Sequence, residues 1–187
     1  MKLKTKEMIL VSIFTALMVV GAFIRIPFPI LPVTLQPFFC ALAAILLGSR
    51  LGLISQIVYI VLGLAGLPVF AQGAGISYVF NPTFGFLLGF AVCAFVIGKI
   101  AEKLKTINLK NLLISLIPGL AVLYVIGIAY MYFILGIYMK KPGITVSYIV
   151  ITNIPYLIKD LVLFTIIAIS IVSALPVIKK VGLAGIH

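Results

Sequence analysis

Asp160 is a carboxylate set in the apolar stretch 154–178. It is one of only three acids in the chain, with Glu7 and Glu102 in polar segments. A charge among lipid tails is costly, so such a residue faces the interior of a bundle and takes a partner. Two kinds of partner suit it. One is a ligand whose N–H groups donate to the carboxylate. The other is a cation of the chain itself, either Lys159, Arg25 or a group on another helix. Position alone does not choose between them. Consecutive helical residues point about 100° apart, so Lys159 is expected on a different face, its stem carrying the ammonium outward.

Weaker signals surround this one. Asn81-Pro82-Thr83 opens an apolar run that continues with Phe84 and Gly85. Asn81 can bond a ligand, and it can equally cap a helix that has proline at its first position; spacing favours the cap. Gln36, Tyr78 and Tyr156 are polar groups at or near run ends. Tyrosines there are common without any ligand. Ser12 and Ala16 form a small-xxx-small pair, as do Gly85 and Gly89. Such pairs let helices approach closely, within the bundle or against another membrane subunit.

Other chemistries are missing. The sequence has no GxxxxGK[ST] loop for ATP. Its single histidine, His187, is the last residue, so neither a Ser–His pair nor a His-ligated metal is expected. Cys40 and Cys93 lie inside apolar runs and read as small buried hydrophobes, not as a metal site or a disulfide. No cofactor and no metal are expected, and an enzyme is disfavoured.

The elements that must position these residues follow from composition. Apolar residues make up 64% of the chain and charged residues 9%, with a mean hydropathy of +1.38. Soluble domains are about half apolar and about a quarter charged. A chain this apolar belongs in lipid, where helices or a closed barrel satisfy the backbone. The runs are continuous and do not alternate, which favours helices. They cover about 8–26, 35–47, 51–67, 84–100, 112–139 and 154–178. Pro27, Pro29 and Pro32 interrupt the chain after the first run, Gly48-Ser49-Arg50 after the second, and Lys140-Lys141-Pro142-Gly143 after the fifth. The expectation is an all-α membrane protein: one domain over 1–187, a bundle of six transmembrane helices.

Charge sets the orientation. Numbering the connections alternately puts ten lysines and arginines on one side: Lys2, Lys4, Lys6, Arg50, Lys99, Lys103, Lys105, Lys110, Lys179 and Lys180. The other side holds Arg25, Lys140 and Lys141, with Lys159 in the sixth run. The positive-inside rule then places both termini in the cytoplasm. The net charge of +11 is thereby read as a topology signal. It is spread between apolar runs and forms no nucleic-acid stripe. The outward segments, 27–34, 68–82 and 140–153, are rich in Gly, Pro, aromatics and amides. Irregular backbone at membrane depth persists where protein buries it or where it lines a cavity, so a pocket opening outward is expected.

The run LLGSRLGLISQIVYIVLGLAGLPVFAQGAG at 46–75, NPTFGFLLGF at 81–90 and IGKIAE at 97–102 resembles the BioY family. So do VTLQ at 33–36 and IPYLIKDLV at 154–162. Members of that family are the biotin-specific S components of energy-coupling factor transporters of prokaryotic cell membranes. The resemblance implies a multi-pass subunit that captures biotin at the outer face. A transmembrane T component and two ATPase subunits would complete the importer. By the same resemblance, Asp160 meets the ureido ring and Asn81 is a second polar contact. Gln36, Tyr78, Phe84 and Tyr156 lie on pocket-lining segments, and Ser12 and Ala16 dock the T component. Family members often carry a lysine three residues after the aspartate, where this chain has Leu163. The partner of the ligand carboxylate is therefore open among Lys159, Arg25, Lys140 and helix N-terminal amides. An S component for another small vitamin or precursor is the alternative; a membrane enzyme or channel is a more distant one.

Overall fold

A computed structural model describes residues 3–27, 32–104 and 106–181, with side chains to residue 174. Pro29, Lys2, Lys105 and His187 lie outside the described residues, as do the side chains of Lys179 and Lys180.

Five helices account for most of the chain: α1 (Thr5–Phe23), α2 (Gln36–Leu64), α3 (Phe84–Ala101), α4 (Leu109–Tyr132) and α5 (Val146–Val181). All five are long and apolar enough to cross a membrane. Each begins or ends where its residues dictate. Pro37 sits in the first turn of α2, where its missing N–H costs nothing. Asn108 Oδ1 accepts from Asn111 N at 2.8 Å and caps α4. Thr145 Oγ1 accepts from Tyr148 N at 3.1 Å and starts α5. Beyond Tyr132, α4 widens over Phe133–Tyr138 into a π-helical turn, closed by Met139 N on Ile134 O at 2.8 Å.

Two runs expected as separate helices are joined without a loop. Gly48 carries φ 81 and ψ 178 inside α2, a conformation that only glycine adopts readily. The two limbs, 36–47 and 49–64, fold back on each other there. Gln36 Nε2 donates to Tyr59 OH at 3.0 Å, whereas a straight helix would hold residues 23 apart at about 35 Å. A Cβ on Gly52 would lie 3.2 Å from Ala44 Cα, so the limbs touch just beyond the turn. Glu102 at the end of α3 holds the turn from outside: its Oε1 accepts from Ser49 N at 2.7 Å and Ser49 Oγ at 2.8 Å. Gly98 is what lets α3 come so near, since a Cβ there would sit 2.3 Å from Ser49 N.

The other contacts fix an antiparallel order. Gly85, Gly89 and Gly127 bring α3 and α4 together against Tyr130, Leu123 and Phe86, which is the packing reading of the Gly85/Gly89 pair. Thr15 Oγ1 donates to Ser55 O at 3.1 Å and ties α1 to the second limb of α2. Helix α5 presents one buried stripe, Ile149, Asn153, Tyr156, Asp160, Phe164, Ile167 and Ile171. Its remaining surface is largely exposed and apolar, as suits contact with lipid.

Three expectations need correction. The chain is not purely helical, because Arg25–Ile26 pairs antiparallel with Val33–Thr34 in a two-residue ladder on either side of the prolines. The first helix ends at Phe23, not near Ile26. The last begins at Val146, eight residues before the expected start. Asp160 is thus 14 positions inside α5, about 21 Å from its start, rather than the six positions that a start at Ile154 implies.

Candidate functional site

A pocket lies at the end of the bundle where α1 gives way to α2 and α3 begins. It encloses about 580 Å³ of space, the open solvent at its mouth included. The segment before α2 supplies Pro32 and Thr34, and its first turn Gln36 and Pro37; the 68–83 loop supplies Ala71, Tyr78 and Thr83; α3 supplies Phe86, Leu87 and Phe90. Tyr124 comes from α4, and Asn153, Tyr156, Lys159 and Asp160 come from α5.

Asp160 is the polar focus. It is 4% exposed, and its Oδ2 accepts from Tyr124 OH at 2.7 Å. Its Oδ1 forms an ion pair with Lys159 Nζ. The expectation that Lys159 would point away is wrong. Its four-carbon stem bridges the angular offset and brings the ammonium back over the carboxylate. The same ammonium donates to Thr34 O at 3.0 Å, on the strand just before α2. The ladder Arg25–Ile26/Val33–Thr34 therefore has a purpose for the site: it presents the Thr34 carbonyl to Lys159.

Gln36 is in the wall, and its amide is spent internally. Nε2 donates to Tyr59 OH at 3.0 Å, and Oε1 accepts from Thr34 Oγ1 at 3.2 Å. Tyr59 OH passes the chain on to Val69 O at 3.0 Å. Tyr78 is also in the wall. Thr83 Oγ1 donates to Asn81 Oδ1 at 2.9 Å, so Tyr78 OH is the donor in its 2.9 Å contact with Thr83 Oγ1. Burial pushes the Tyr78 phenol up from its ordinary range, against the opposing effect of its hydrogen bond to Thr83, and it remains a neutral donor.

Three sequence candidates are not in this pocket. Asn81 accepts from both Thr83 N and Thr83 Oγ1 at 2.9 Å, a turn that leads into α3, and it lines a neighbouring shallow depression instead. Phe84 is 5% exposed and belongs to the aromatic layer under the loop, edge-on to Tyr78 with ring centres 6.5 Å apart. Arg25 is exposed and lines another depression with Pro68, Phe70 and Gln72. Ser12 and Ala16 are far from all of this, exposed on α1, with Ser12 Oγ returned to Met8 O at 2.9 Å.

Tyr124 and Asn153 were not anticipated. Tyr124 lies in an apolar run and has no polar neighbour to draw notice. Asn153 had a usable signal, since it stands three and seven positions before Tyr156 and Asp160, on one helical face. Among the described residues, no three of His, Cys, Asp or Glu gather as a metal site. The pocket offers instead an adjacent donor and acceptor, Lys159 and Asp160, framed by tyrosines and apolar rings. That arrangement binds; no nucleophile with an activating base is present among its described lining residues.

A bundle of membrane-crossing helices with a buried polar pocket at one end is the class defined so far. The model of the BioY family matches residues 1–180, and the chain belongs to that family. It is 46% identical over 136 residues to "Probable biotin transporter BioY" of Lysinibacillus sphaericus, covering 73% of this chain and 69% of that one. It is 41% identical over 147 residues to "Biotin transporter BioY" of Thermotoga maritima, covering 77% and 83%. Among solved structures, an S-component for biotin from an ECF-type ABC transporter superposes with a TM-score of 0.68 at 23% identity. That match covers 91% of this chain and 93% of the other, and at this identity it speaks to the fold.

Proposed function

We propose that this chain is the biotin-binding S component of an energy-coupling factor importer. It captures biotin at the outer membrane face for ATP-driven uptake by partner subunits, and it has no catalysis of its own. The observation that carries this reading is the Lys159–Asp160 pair in the pocket wall. A cyclic urea presents a carbonyl acceptor beside N–H donors. An ammonium beside a carboxylate is its complement, and charge-assisted hydrogen bonds of that kind are the strong ones. In this reading Asp160 and Lys159 hold the ureido head, Tyr124 fixes the Asp160 carboxylate, Phe86, Phe90 and Tyr156 cover the apolar ring, and Gln36 and Tyr78 shape the wall.

Residues 1–187 act as one membrane unit with six crossings and both termini cytoplasmic. The reversal of α2 at Gly48 supports six, because its two limbs count as separate crossings. The distribution of lysine and arginine supports the orientation. Ser12 and Ala16 serve as the docking face for a T component, supported by their exposure on α1. Two ATPase subunits drive the cycle from the cytoplasm.

The test is a binding titration of the detergent-solubilised chain with biotin. Tight binding, competed by desthiobiotin more than by riboflavin or thiamine, is the expected result. Absence of biotin binding by folded protein ends the proposal.

A further inference from the structure

Resting on the biotin reading, we infer that this site reads the ring head of biotin and accepts a tail whose carboxylate is capped as an amide, Asn153 receiving the tail N–H. Three observations converge on it.

The first concerns charge. Lys159 is the one cation among the described residues lining the pocket. Its ammonium is already engaged by Asp160 and by Thr34 O at 3.0 Å. Among the described residues lining the pocket, a carboxylate placed further along meets no second cation. Arg25 is exposed and lines a separate depression.

The second concerns Asn153, which lines the pocket and is 1% exposed. Its Nδ2 donates to Ile149 O at 2.9 Å and approaches Met131 Sδ at 3.8 Å. Its Oδ1 has no hydrogen-bond partner among the described residues. Turning the amide over would set Oδ1 against the Ile149 carbonyl, acceptor against acceptor, so the assignment is fixed by its neighbours. An unpaired buried acceptor is unfavourable until a donor arrives. A carboxylate beside it is repelled, and an amide N–H completes it.

The third concerns distance. Asn153 and Asp160 share the buried stripe of α5 seven positions apart, about 10.5 Å along the axis. Two contacts across the interhelix seam keep this register, Tyr124 with Asp160 and Met131 with Asn153. With the ureido ring at Asp160, an extended five-carbon tail ends near Asn153. A biotin joined through an amide, as in biotinyl-lysine released from protein breakdown, fits that pattern.

The experiment is a titration of the full detergent-solubilised chain with biotin and with biotin primary amide. The amide is expected to bind as tightly as the acid or up to about tenfold more tightly, the worth of one neutral hydrogen bond. Asn153→Leu, close in volume, is expected to lower the ratio of amide affinity to acid affinity by about tenfold. Tighter binding of the acid than of the amide overturns the inference and leaves biotin recognition standing. An unchanged ratio in folded Asn153→Leu overturns the role of Asn153. Binding of neither ligand overturns the biotin reading and this inference with it. Should the variant not fold, the wild-type ratio alone decides.

Discussion

Tyr124 on α4 donates its hydroxyl to Asp160 Oδ2 on α5 at 2.7 Å, from the side opposite the Lys159 ammonium. The carboxylate is therefore held between a neutral donor and a cation. Its two oxygens are distinguished before any ligand arrives: Oδ2 is a fixed point, and Oδ1 is shared with an ammonium that can also donate to a ligand. The pocket is pre-arranged on rigid elements, which reduces the ordering that binding must impose.

Replacing Asp160 with Asn keeps the shape and removes the charge. Biotin affinity is expected to fall about 10- to 100-fold, the worth of a charge-assisted hydrogen bond. Calorimetric titration of the variant checks this, with size-exclusion profiles confirming its fold. Unchanged affinity would remove Asp160 from the site.

Tyr124→Phe leaves the ring and deletes the hydroxyl. The carboxylate keeps Lys159 but loses the donor on Oδ2, so affinity should drop by about five- to tenfold. Paired with Asp160→Asn, the double variant should lose little more than Asp160→Asn alone, because the two share one interaction. Additive losses would place Tyr124 in contact with the ligand independently.

Gly98 allows α3 to lie against the Gly48–Ser49 turn. Gly98→Ala puts a carbon 2.3 Å from Ser49 N, and the overlap is expected to destabilise by about 1–3 kcal/mol. Thermal unfolding in detergent reads this as a lowered midpoint. Gly66→Ala is the contrast, since nothing lies within 4 Å of a Cβ there and only its φ of +102 is strained.

Ser12→Trp and Ala16→Trp enlarge an exposed face of α1 remote from the pocket. Each should abolish copurification with a coexpressed T component and leave biotin titration unaltered. Retained copurification in both variants assigns docking to another face.

Most of this arrangement was legible in the sequence, and the exceptions have physical causes. Asp160 stood out because a lone acid in lipid needs a reason. Gly48 was visible as a stop between two apolar runs, though not as a turn so tight that helical winding resumes at once. The start of α5 was missed because Thr145, Ser147 and Thr152 lower its hydropathy, while a threonine cap and the inward stripe hold it helical. Lys159 was misplaced because helical geometry fixes Cβ directions and not the ends of long side chains. Asn81 and Phe84 were drawn toward the site by motif. The structure uses one to turn the chain and the other to support Tyr78.

The bond from Lys159 to the Thr34 carbonyl spans 125 positions. During synthesis the early helices emerge and insert long before residue 159 exists, so the pocket lacks its Asn153, Tyr156, Lys159 and Asp160 wall until α5 arrives. A nascent chain stopped within α4 would hold the early scaffold and yet retain nothing from the medium. Competence is thus conferred only when α5 docks and Lys159 reaches the strand at Thr34.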